Sequence, residues 1–236
     1  MQTLGIIGGM SWESTATYYR LLNEGVRTRL GGLHSAPLLL HSVDFAQIAA
    51  MQKAGEWNAA GALLGAAAQG LERAGATALL LATNTMHKVA AAIESAVTIP
   101  LLHIGDAVGA QLQAQGVRKA ALLGTRFTMR EPFYRERLAE RFGLQLLVPS
   151  NAEMDEIDRV IFAELCRGEI RPEAKAFYLD CLARLQTAGA EAAILGCTEI
   201  GLLISAQDTT LPLIDSTEAH VEMGLEWMLD GPHRPR

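Results

Sequence analysis

Residues 5–22, GIIGGMSWESTATYYRLL, decide the fold of this 236-residue chain together with residues 121–138, ALLGTRFTMREPFYRERL. Each stretch opens with a short apolar run containing glycine and continues into an amphipathic segment, which is typical of a buried strand followed by a helix. Tyr134-Arg135 corresponds to Tyr19-Arg20, at an offset of 115 (135 − 20). This match indicates an internal repeat that begins at the first strand.

Two further matches extend the repeat along the chain. LLLATNT (79–85) corresponds to AAILGCTE (192–199), with Thr83 opposite Cys197 at an offset of 114 (197 − 83). IPLLHIGD (99–106) corresponds to LPLIDSTE (211–218), with Pro100 opposite Pro212 at an offset of 112 (212 − 100). Three ordered matches at nearly one offset predict two similar halves, related most simply by a pseudo-twofold axis.

Short apolar runs alternate with longer amphipathic stretches throughout, as in βα units that build a parallel sheet. The predicted strands are 3–7, 37–43, 78–82, 100–104, 120–123, 145–148, 192–195 and 211–214. The predicted helices are 14–29, 56–74, 129–142, 153–167 and 173–188. The predicted fold class is therefore α/β.

Composition limits the classes of function. Apolar residues make up 50% of the chain and charged residues 19%, which is typical of a globular protein. The net charge of −6 and the scattered Lys and Arg argue against a nucleic-acid surface. No positively charged leader precedes the first apolar run, and no window reaches the roughly 18 apolar residues of a membrane span. We therefore expect a cytoplasmic protein with neither nucleic-acid nor membrane partners.

Most candidate cofactor and metal motifs are missing from the sequence. The glycine-rich turn at 5–11 contains no GxGxxG, which argues against a dinucleotide, and the histidines lack the paired spacing of metal ligands. Three cysteines are too few for a disulfide framework. Cys166 and Cys181 fall within helix-like patterns and are expected to be small buried hydrophobes. His87 is expected to brace the loop that precedes it.

Cys197 has different surroundings, because GCTE (196–199) follows an apolar strand and leads into an apolar helical start. Backbone N–H groups at such a turn favour the thiolate, and a thiol that normally ionises near pH ~8.5 would then be a useful base. Glu199 is placed to orient the thiol or to accept a proton. An inert cysteine at a strand end is the alternative.

Ligands of open α/β sheets bind outside the carboxyl ends of the strands. Thr83 and Cys197 both follow such an end, so they would meet across a cleft if the two lobes faced each other. Proton transfer by two groups requires this arrangement, because one group removes a proton from a carbon and the other delivers it to the opposite face.

Four loops carry a resemblance to a known family: GGM (8–10), TNT (83–85) with His87, Gly124-Thr125 with Thr128, and GCTE (196–199). They resemble the signature loops of the aspartate/glutamate racemases, and GGMSWEST, TNTMHK and GCTEIGLL resemble the bacterial broad-specificity or L-aspartate/glutamate-specific branch. The resemblance implies two pseudo-symmetric Rossmann-like lobes, each a mostly parallel sheet flanked by helices, with the active site in the cleft between them. It further implies that the lobes exchange their last elements, as 1–98 plus 208–236 and 99–207.

The same resemblance implies racemisation of Asp, Glu or related polar amino acids without pyridoxal phosphate, any other cofactor or a metal, commonly in a homodimer. Carried over by motif, the catalytic pair is Cys197 and Thr83. The implied substrate-binding residues are Met10, Gln52, Asn84, Thr85, Thr125, Glu164, Thr198 and Glu199.

The sequence departs from the family pattern at two positions. Thr83 stands where the family has its first cysteine, and Glu199 stands where glutamate racemases have histidine. A single thiol leaves two alternatives open: a one-cysteine decarboxylase or cis–trans isomerase of the same superfamily, and a catalytically inactive amino-acid-binding module.

Overall fold

The computed structural model describes residues 1–231, and the chain divides into two compact units. Unit 1 comprises Met1–Ile104 with the described residues from His220 onward, and unit 2 comprises Gly105–Ala219. Each unit contains one four-stranded parallel sheet flanked by helices. The predicted α/β class with two similar lobes is confirmed.

All eight predicted strands are present, and their bounds shift by a few residues at most. They are β1 (Leu4–Gly8), β2 (Leu38–Ser42), β3 (Ala78–Leu81), β4 (Leu101–Leu102), β5 (Lys119–Gly124), β6 (Gln145–Leu147), β7 (Ala192–Gly196) and β8 (Leu213–Asp215). The order is β2-β1-β3-β4 in unit 1 and β6-β5-β7-β8 in unit 2, so both sheets have the same topology.

The described helices are α1 (Trp12–Leu30), α2 (Phe45–Ala54), α3 (Trp57–Arg73), α4 (Ala90–Ala96), α5 (Ile104–Ala114), α6 (Arg126–Arg130), α7 (Pro132–Phe142), α8 (Asn151–Ala163), α9 (Pro172–Thr187), α10 (Ile200–Leu203) and α11 (Ser216–Asp230). Two 3-10 helices cover Thr85–Val89 and Leu165–Arg167. The five predicted helices correspond to α1, α3, α7, α8 and α9. Within the described part of the chain, no helix is both long and apolar enough to span a membrane.

The central strands are buried on both faces. Leu79 and Leu80 of β3 are neighbours in sequence but pack into different apolar clusters, because successive side chains of a strand point to opposite faces. One cluster contains residues of α3 and α4, and the other contains residues of α1 and α11. Strands that are buried on both faces have continuous apolar sequences, which is why β3 and β7 can be predicted from the sequence.

Strand register confirms the two later matches of the repeat, whereas β1 and β5 correspond at an offset of 116 (120 − 4), because Leu4 pairs with Ala78 and Ala120 pairs with Ala192. Leu79 pairs with Leu101 between β3 and β4, and Ala193 pairs with Leu213 between β7 and β8. These pairs differ by 114 (193 − 79) and 112 (213 − 101), the offsets read from the sequence. The two sheets are therefore built from corresponding residues.

The bounds of the two units differ from the predicted lobes, 1–98 plus 208–236 and 99–207. β4 pairs with β3 in unit 1, and β8 pairs with β7 in unit 2, so each half keeps its own last strand. The physical reason is that a βαβ crossover returns the chain to the sheet it has just left. Only the chain from His220 onward groups with unit 1. Residues 232–236 of the predicted first lobe lie outside the described residues.

Candidate active site

The predicted site residues of unit 1 follow strands that end side by side. The Ala82 N–H donates to the Ile7 carbonyl (2.9 Å), and the Val43 N–H donates to the Gly8 carbonyl (3.0 Å). Gly9 has φ +93°, and a Cβ atom there would lie 2.2 Å from the Val43 carbonyl oxygen, so only glycine fits. The turn after β1 is thereby packed against the neighbouring strand end.

This turn leads into α1 through a side-chain cap. Ser11 is the N-cap and its hydroxyl accepts from the Ser14 N–H (3.2 Å), while the Gly9 N–H donates to the Thr15 hydroxyl (2.8 Å). Such bonds satisfy backbone donors at a helix start, where the helix itself offers no partner. Met10 is buried within this ordered turn.

The loop after β3 carries three predicted site residues. Asn84 and Thr85 are buried, and Thr83 is half-buried. The Gln52 amide on α2 lies 2.9 Å from the Met86 sulfur, one residue beyond Thr85. The structure therefore brings Gln52 and the 83–86 loop together within unit 1.

His87 ties this loop to the start of α5. Its Nδ1 lies 2.8 Å from the Thr83 carbonyl oxygen, and its Nε2 lies 3.2 Å from the Ile104 nitrogen. A backbone N–H can only donate, so Nε2 accepts and the proton of the neutral ring is on Nδ1, which donates to Thr83. The expectation that His87 braces the loop is confirmed.

Two more buried histidines surround His87. The His103 ring centroid is 4.4 Å from that of His87, and the His220 centroid is 5.7 Å away. His220 donates from Nε2 to the Leu102 carbonyl (2.6 Å) and accepts at Nδ1 from the Tyr18 hydroxyl (2.8 Å). Burial lowers the pKa of His220 to about 4, so this ring is neutral at physiological pH.

In unit 2 the equivalent loops leave β5 and β7, which pair up to their last residues, Gly124 and Gly196. Thr125 and Cys197 therefore follow adjacent strand ends. Thr125 is the N-cap of α6, and its hydroxyl accepts from the Thr128 N–H (3.4 Å). The Thr125 and Thr128 hydroxyl oxygens lie 3.1 Å apart.

Cys197 makes a short contact with a carboxylate. Its Sγ donates to Glu199 Oε2 (2.9 Å), and the Thr198 hydroxyl donates to the same oxygen (2.6 Å). Glu199 is buried and Cys197 is half-buried. The three residues thus form one hydrogen-bonded group, in which the thiol proton is directed at Glu199.

The predicted preference of Cys197 for the thiolate is wrong for the protein without substrate. Burial by the surrounding protein and the neighbouring Glu199 carboxylate raise the pKa of the thiol well above its ordinary value. The expected stabilising N–H is present, since the Glu199 backbone lowers the pKa, but the other two causes outweigh it. Cys197 is therefore a protonated thiol at rest.

Glu164 lies one residue beyond the end of α8, not within a helix as predicted. It is 4% exposed, and its Oε1 accepts from the Arg159 guanidinium (2.9 Å). Its Oε2 is buried and has no hydrogen-bond partner among the described residues. A buried carboxylate oxygen of this kind is suited to accept from an ammonium group.

The other two cysteines differ from each other. Cys181 is buried as expected, and burial raises its pKa to about 12. Cys166 was expected to be buried but is exposed. The reason is that Cys166 stands four residues after the exposed Phe162, on the face of this segment opposite the buried residues of α8, so a longer α8 would also have left it exposed.

Sequence reasoning missed Asp215, at the end of β8. It accepts from the Thr217 and Glu218 N–H groups (2.7 and 3.2 Å), and burial raises its pKa to about 6. The partners in the histidine cluster were also missed, since His87 and His220 lie far apart in sequence. Among the described residues, no group of three or more His, Cys, Asp or Glu side chains is arranged to hold a metal ion.

Comparisons with known proteins agree with one another. A family model described as Asp/Glu/hydantoin racemase matches residues 7–224. A Yersinia pestis protein described as a candidate Asp/Glu racemase is 46% identical, with a TM-score of 0.93, over 97% of this chain and 100% of its own.

Two archaeal structures are also similar. An aspartate racemase homologue from Pyrococcus horikoshii is 35% identical, with a TM-score of 0.85, over 97% of this chain and 99% of its own. The aspartate racemase of Picrophilus torridus is 21% identical, with a TM-score of 0.72, over 96% and 93%, and this likeness concerns the fold.

Proposed function

Because the chain belongs to the Asp/Glu/hydantoin racemase family, we propose that Cys197 exchanges the proton on the α-carbon of an amino acid. The protein is a cofactor-independent amino-acid racemase, and the comparisons do not favour a decarboxylase, a cis–trans isomerase or an inactive binding module. The observation that carries the residue assignment is the 2.9 Å contact between the Cys197 thiol and the Glu199 carboxylate.

Glu199 explains how a resting thiol becomes a base. The Sγ–H proton already points at Oε2, so its transfer to Glu199 leaves a thiolate without movement of the heavy atoms. A substrate ammonium near the sulfur favours that transfer, because an opposite charge within about 4–6 Å stabilises the charged form. The thiolate then removes the α-proton, and the thiol formed can return one.

Neutral donors are proposed to hold the substrate carboxylates. Asn84, Thr85 and Thr125 supply amide, hydroxyl and backbone donors, which stabilise the charge that develops when a carbon beside a carboxylate loses its proton. The Thr198 hydroxyl donates to Glu199, and a hydroxyl oxygen can also accept, so Thr198 is proposed to accept from the substrate ammonium. Gln52 and Met10 complete the proposed pocket. These groups suit Asp, Glu and related polar amino acids.

Thr83 is proposed to serve the opposite face of the α-carbon from Cys197. Its hydroxyl does not ionise in the accessible pH range, whereas a thiol ionises near pH ~8.5. Thr83 can therefore relay a proton to or from water but is a poor base. The enantiomer that Cys197 deprotonates should exchange its α-hydrogen faster than its mirror image, and by family analogy this is the L form.

Incubation of L- and D-amino acids in D₂O, with the α-proton followed by NMR, tests this function. Wild type should exchange the α-hydrogen of Asp, Glu or a polar relative, and Cys197→Ala should not. Cys181→Ala is the matched control, because this thiol is buried and takes no part in the proposed chemistry. Exchange by Cys197→Ala at near the wild-type rate would remove Cys197 from the mechanism.

We also propose a cytoplasmic homodimer. The reducing cytosol keeps a catalytic thiol active. Three large apolar side chains of unit 1 are exposed: Trp12 and Tyr19 of α1 and Leu40 of β2 are 68%, 59% and 53% exposed. The Ala36 N–H donates to Asn23 on α1 (3.0 Å), which places that helix beside the start of β2. Residues 33–42 carry no Asp, Glu, Lys or Arg.

An uncharged edge strand is a template for another strand, and among the described strands β2 pairs with β1 alone. A second copy would present the same edge, as twofold pairing requires. Light scattering should give a dimer for wild type and a monomer for Leu40→Lys. Ile170→Lys, at another exposed apolar residue, should stay dimeric. A monomeric wild type would refute the proposed dimer, and a dimeric Leu40→Lys would refute this surface.

A further inference from the structure

The backbone of Thr83 is held at both of its polar groups. Its N–H donates to the Leu81 carbonyl (2.8 Å), and its carbonyl accepts from His87 Nδ1 (2.8 Å). Threonine is branched at Cβ, so its side chain has few allowed rotamers once the backbone is fixed. A bond to the Thr83 carbonyl therefore also limits where the Thr83 hydroxyl can lie.

His87 is itself held in one orientation and one tautomer. The Ile104 N–H belongs to the first residue of α5, where the helix provides no acceptor, and His87 Nε2 accepts it (3.2 Å). The His103 ring packs against His87 at an interplanar angle of 62°. His87 is 2% exposed. The ring is therefore set before substrate arrives.

In the other half of the repeat the bond to the corresponding carbonyl comes from the backbone, because the Ile200 N–H donates to the Cys197 carbonyl (3.2 Å). Thr83 corresponds to Cys197, and the same offset of 114 places Gly201 opposite His87 (201 − 87). Glycine has no side chain with which to hold the Cys197 carbonyl. The difference between His87 and Gly201 suits the proposed roles of the two loops. A hydroxyl that only relays a proton must be held in the right place, whereas Cys197 has Glu199 beside it to accept a proton.

We propose that His87 is a positioning residue for proton relay by Thr83, and that it acts on the Thr83 face of the reaction alone. The proposal rests on the proposed racemase function. Loss of His87 should therefore slow inversion of configuration more than it slows α-hydrogen exchange at the enantiomer that Cys197 deprotonates. A residue with a merely structural role would slow both to the same extent.

Two conservative variants separate the two bonds of His87. The Asn side chain in His87→Asn can reproduce the donor near the Nδ1 position, and the Gln side chain in His87→Gln can reproduce the acceptor near Nε2. In D₂O, the ratio of inversion to exchange should fall several-fold in His87→Gln and stay near wild type in His87→Asn. His220→Gln is the matched control, because His220 packs in the same cluster without bonding to Thr83. It should lower thermal stability without changing the ratio.

The outcomes distinguish failure of the positioning role of His87 from failure of the proposed racemase function. If wild type exchanges no α-hydrogen on any tested amino acid, the proposed function fails. If wild type is active and His87→Gln keeps the wild-type ratio, the positioning role is wrong. Equal falls in His87→Gln and His87→Asn would also overturn it, since Asn keeps the donor. If circular dichroism shows that His87→Gln is unfolded, the decisive comparison is His87→Asn against Thr83→Val. A ratio of inversion to exchange as low in His87→Asn as in Thr83→Val contradicts the proposal.

Discussion

The loop after β3 and the loop after β7 occupy corresponding places in the repeat but have opposite chemical surroundings. The His87 ring bonds to the Thr83 carbonyl, and the centroid of the His103 ring lies 4.4 Å from that of His87. By the sequence offsets, the corresponding pair near Cys197 is Gly201 and Asp215, and a Cβ on Gly201 would lie 3.1 Å from Asp215 Oδ2. One loop is therefore bonded to the neutral His87 ring, and the other leads into Gly201, which lies close to the partly buried Asp215 carboxyl.

This difference is what the proposed reaction requires of one duplicated framework, because the two halves are assigned unequal roles in it. Strand order and register are the same in both units, so the framework does not set the chemistry. In unit 2, Glu199 and Asp215 place carboxyl groups around the thiol loop, and Glu199 accepts directly from Cys197. In unit 1, the neutral His87 ring bonds to the Thr83 carbonyl. In the proposed reaction, unit 2 would supply the base and unit 1 a placed hydroxyl.

Removing the carboxylate from the thiol loop should have the largest effect. Glu199→Gln keeps the size of the side chain but leaves no base for the Cys197 proton. General acid–base groups contribute about 10²–10⁴-fold, so we expect kcat to fall by about a hundredfold or more. Glu218→Gln, at a carboxylate on α11, is the control in the same steady-state assay. Near wild-type kcat in Glu199→Gln would show that the thiol loses its proton by another route.

Removing a proposed substrate contact from either unit should have a smaller effect, of similar size in both units. A buried hydrogen bond to a charged group is worth about 1.5–3 kcal/mol, which lowers kcat/KM by roughly ten- to a hundredfold. Asn84→Ala tests unit 1, and Thr198→Ala tests unit 2. We expect kcat and KM to change together, because carboxylate and ammonium contacts serve the ground state and the transition state alike. An unchanged kcat/KM in either variant removes that residue from the site.

The two units should also respond to pH in opposite directions. Burial raises the folded pKa of Asp215 to about 6, above its usual value, so its charged form weakens folding as pH rises through 6. Burial lowers the folded pKa of His220 to about 4, so unit 1 loses stability as pH falls from about 6.5 towards 4.

Asp215→Asn should therefore raise the free energy of unfolding at pH 7.5 by up to roughly 2 kcal/mol, relative to its effect near pH 4.5. His220→Gln should cost more stability at pH 7.5 than near pH 4.5, since wild type has already lost that contribution in acid. Urea titrations at the two pH values measure both differences. The same change in stability at both pH values for either variant would contradict the burial argument.

Making the halves chemically alike should have the smallest effect. Thr83→Cys gives unit 1 a group that can ionise, so exchange of the slower enantiomer should rise several-fold while that of the faster one changes little. Thr85→Ser is a conservative control in the same loop. An equal rise for both enantiomers would mean that the substitution acts on binding and not on one face of the reaction.

The strands of the two sheets were predictable because each corresponds to a local sequence pattern. Short apolar runs predict β1, β3, β5 and β7, and the internal repeat predicts which of these strands correspond. Helices α2, α4, α5, α10 and α11 were not predicted, and for α2 and α4 the reason is that FAQIAAMQKA and AAAIESA are rich in alanine, which carries little helical periodicity. The last strand of each half was assigned to the other half, since pairing partners are a long-range property.

Residue types at the site were predictable, but their states were not. The turn around Cys197 correctly indicated a stabilising N–H, yet the pKa of the thiol depends on how much protein surrounds it and on where the Glu199 carboxylate points. The bracing role of His87 followed from its position in sequence, whereas its tautomer depends on Ile104. Asp215 carried no local signal at all.

The most direct test of the account compares the two enantiomers of one substrate in wild-type protein. Each is incubated separately in D₂O, and the initial rate of α-hydrogen loss is followed by NMR at saturating concentration. The account predicts faster exchange from the enantiomer that faces Cys197, expected to be the L form, and an equilibrium ratio of one between free enantiomers. Equal initial rates from both enantiomers would contradict the division of the site into a base and a relay.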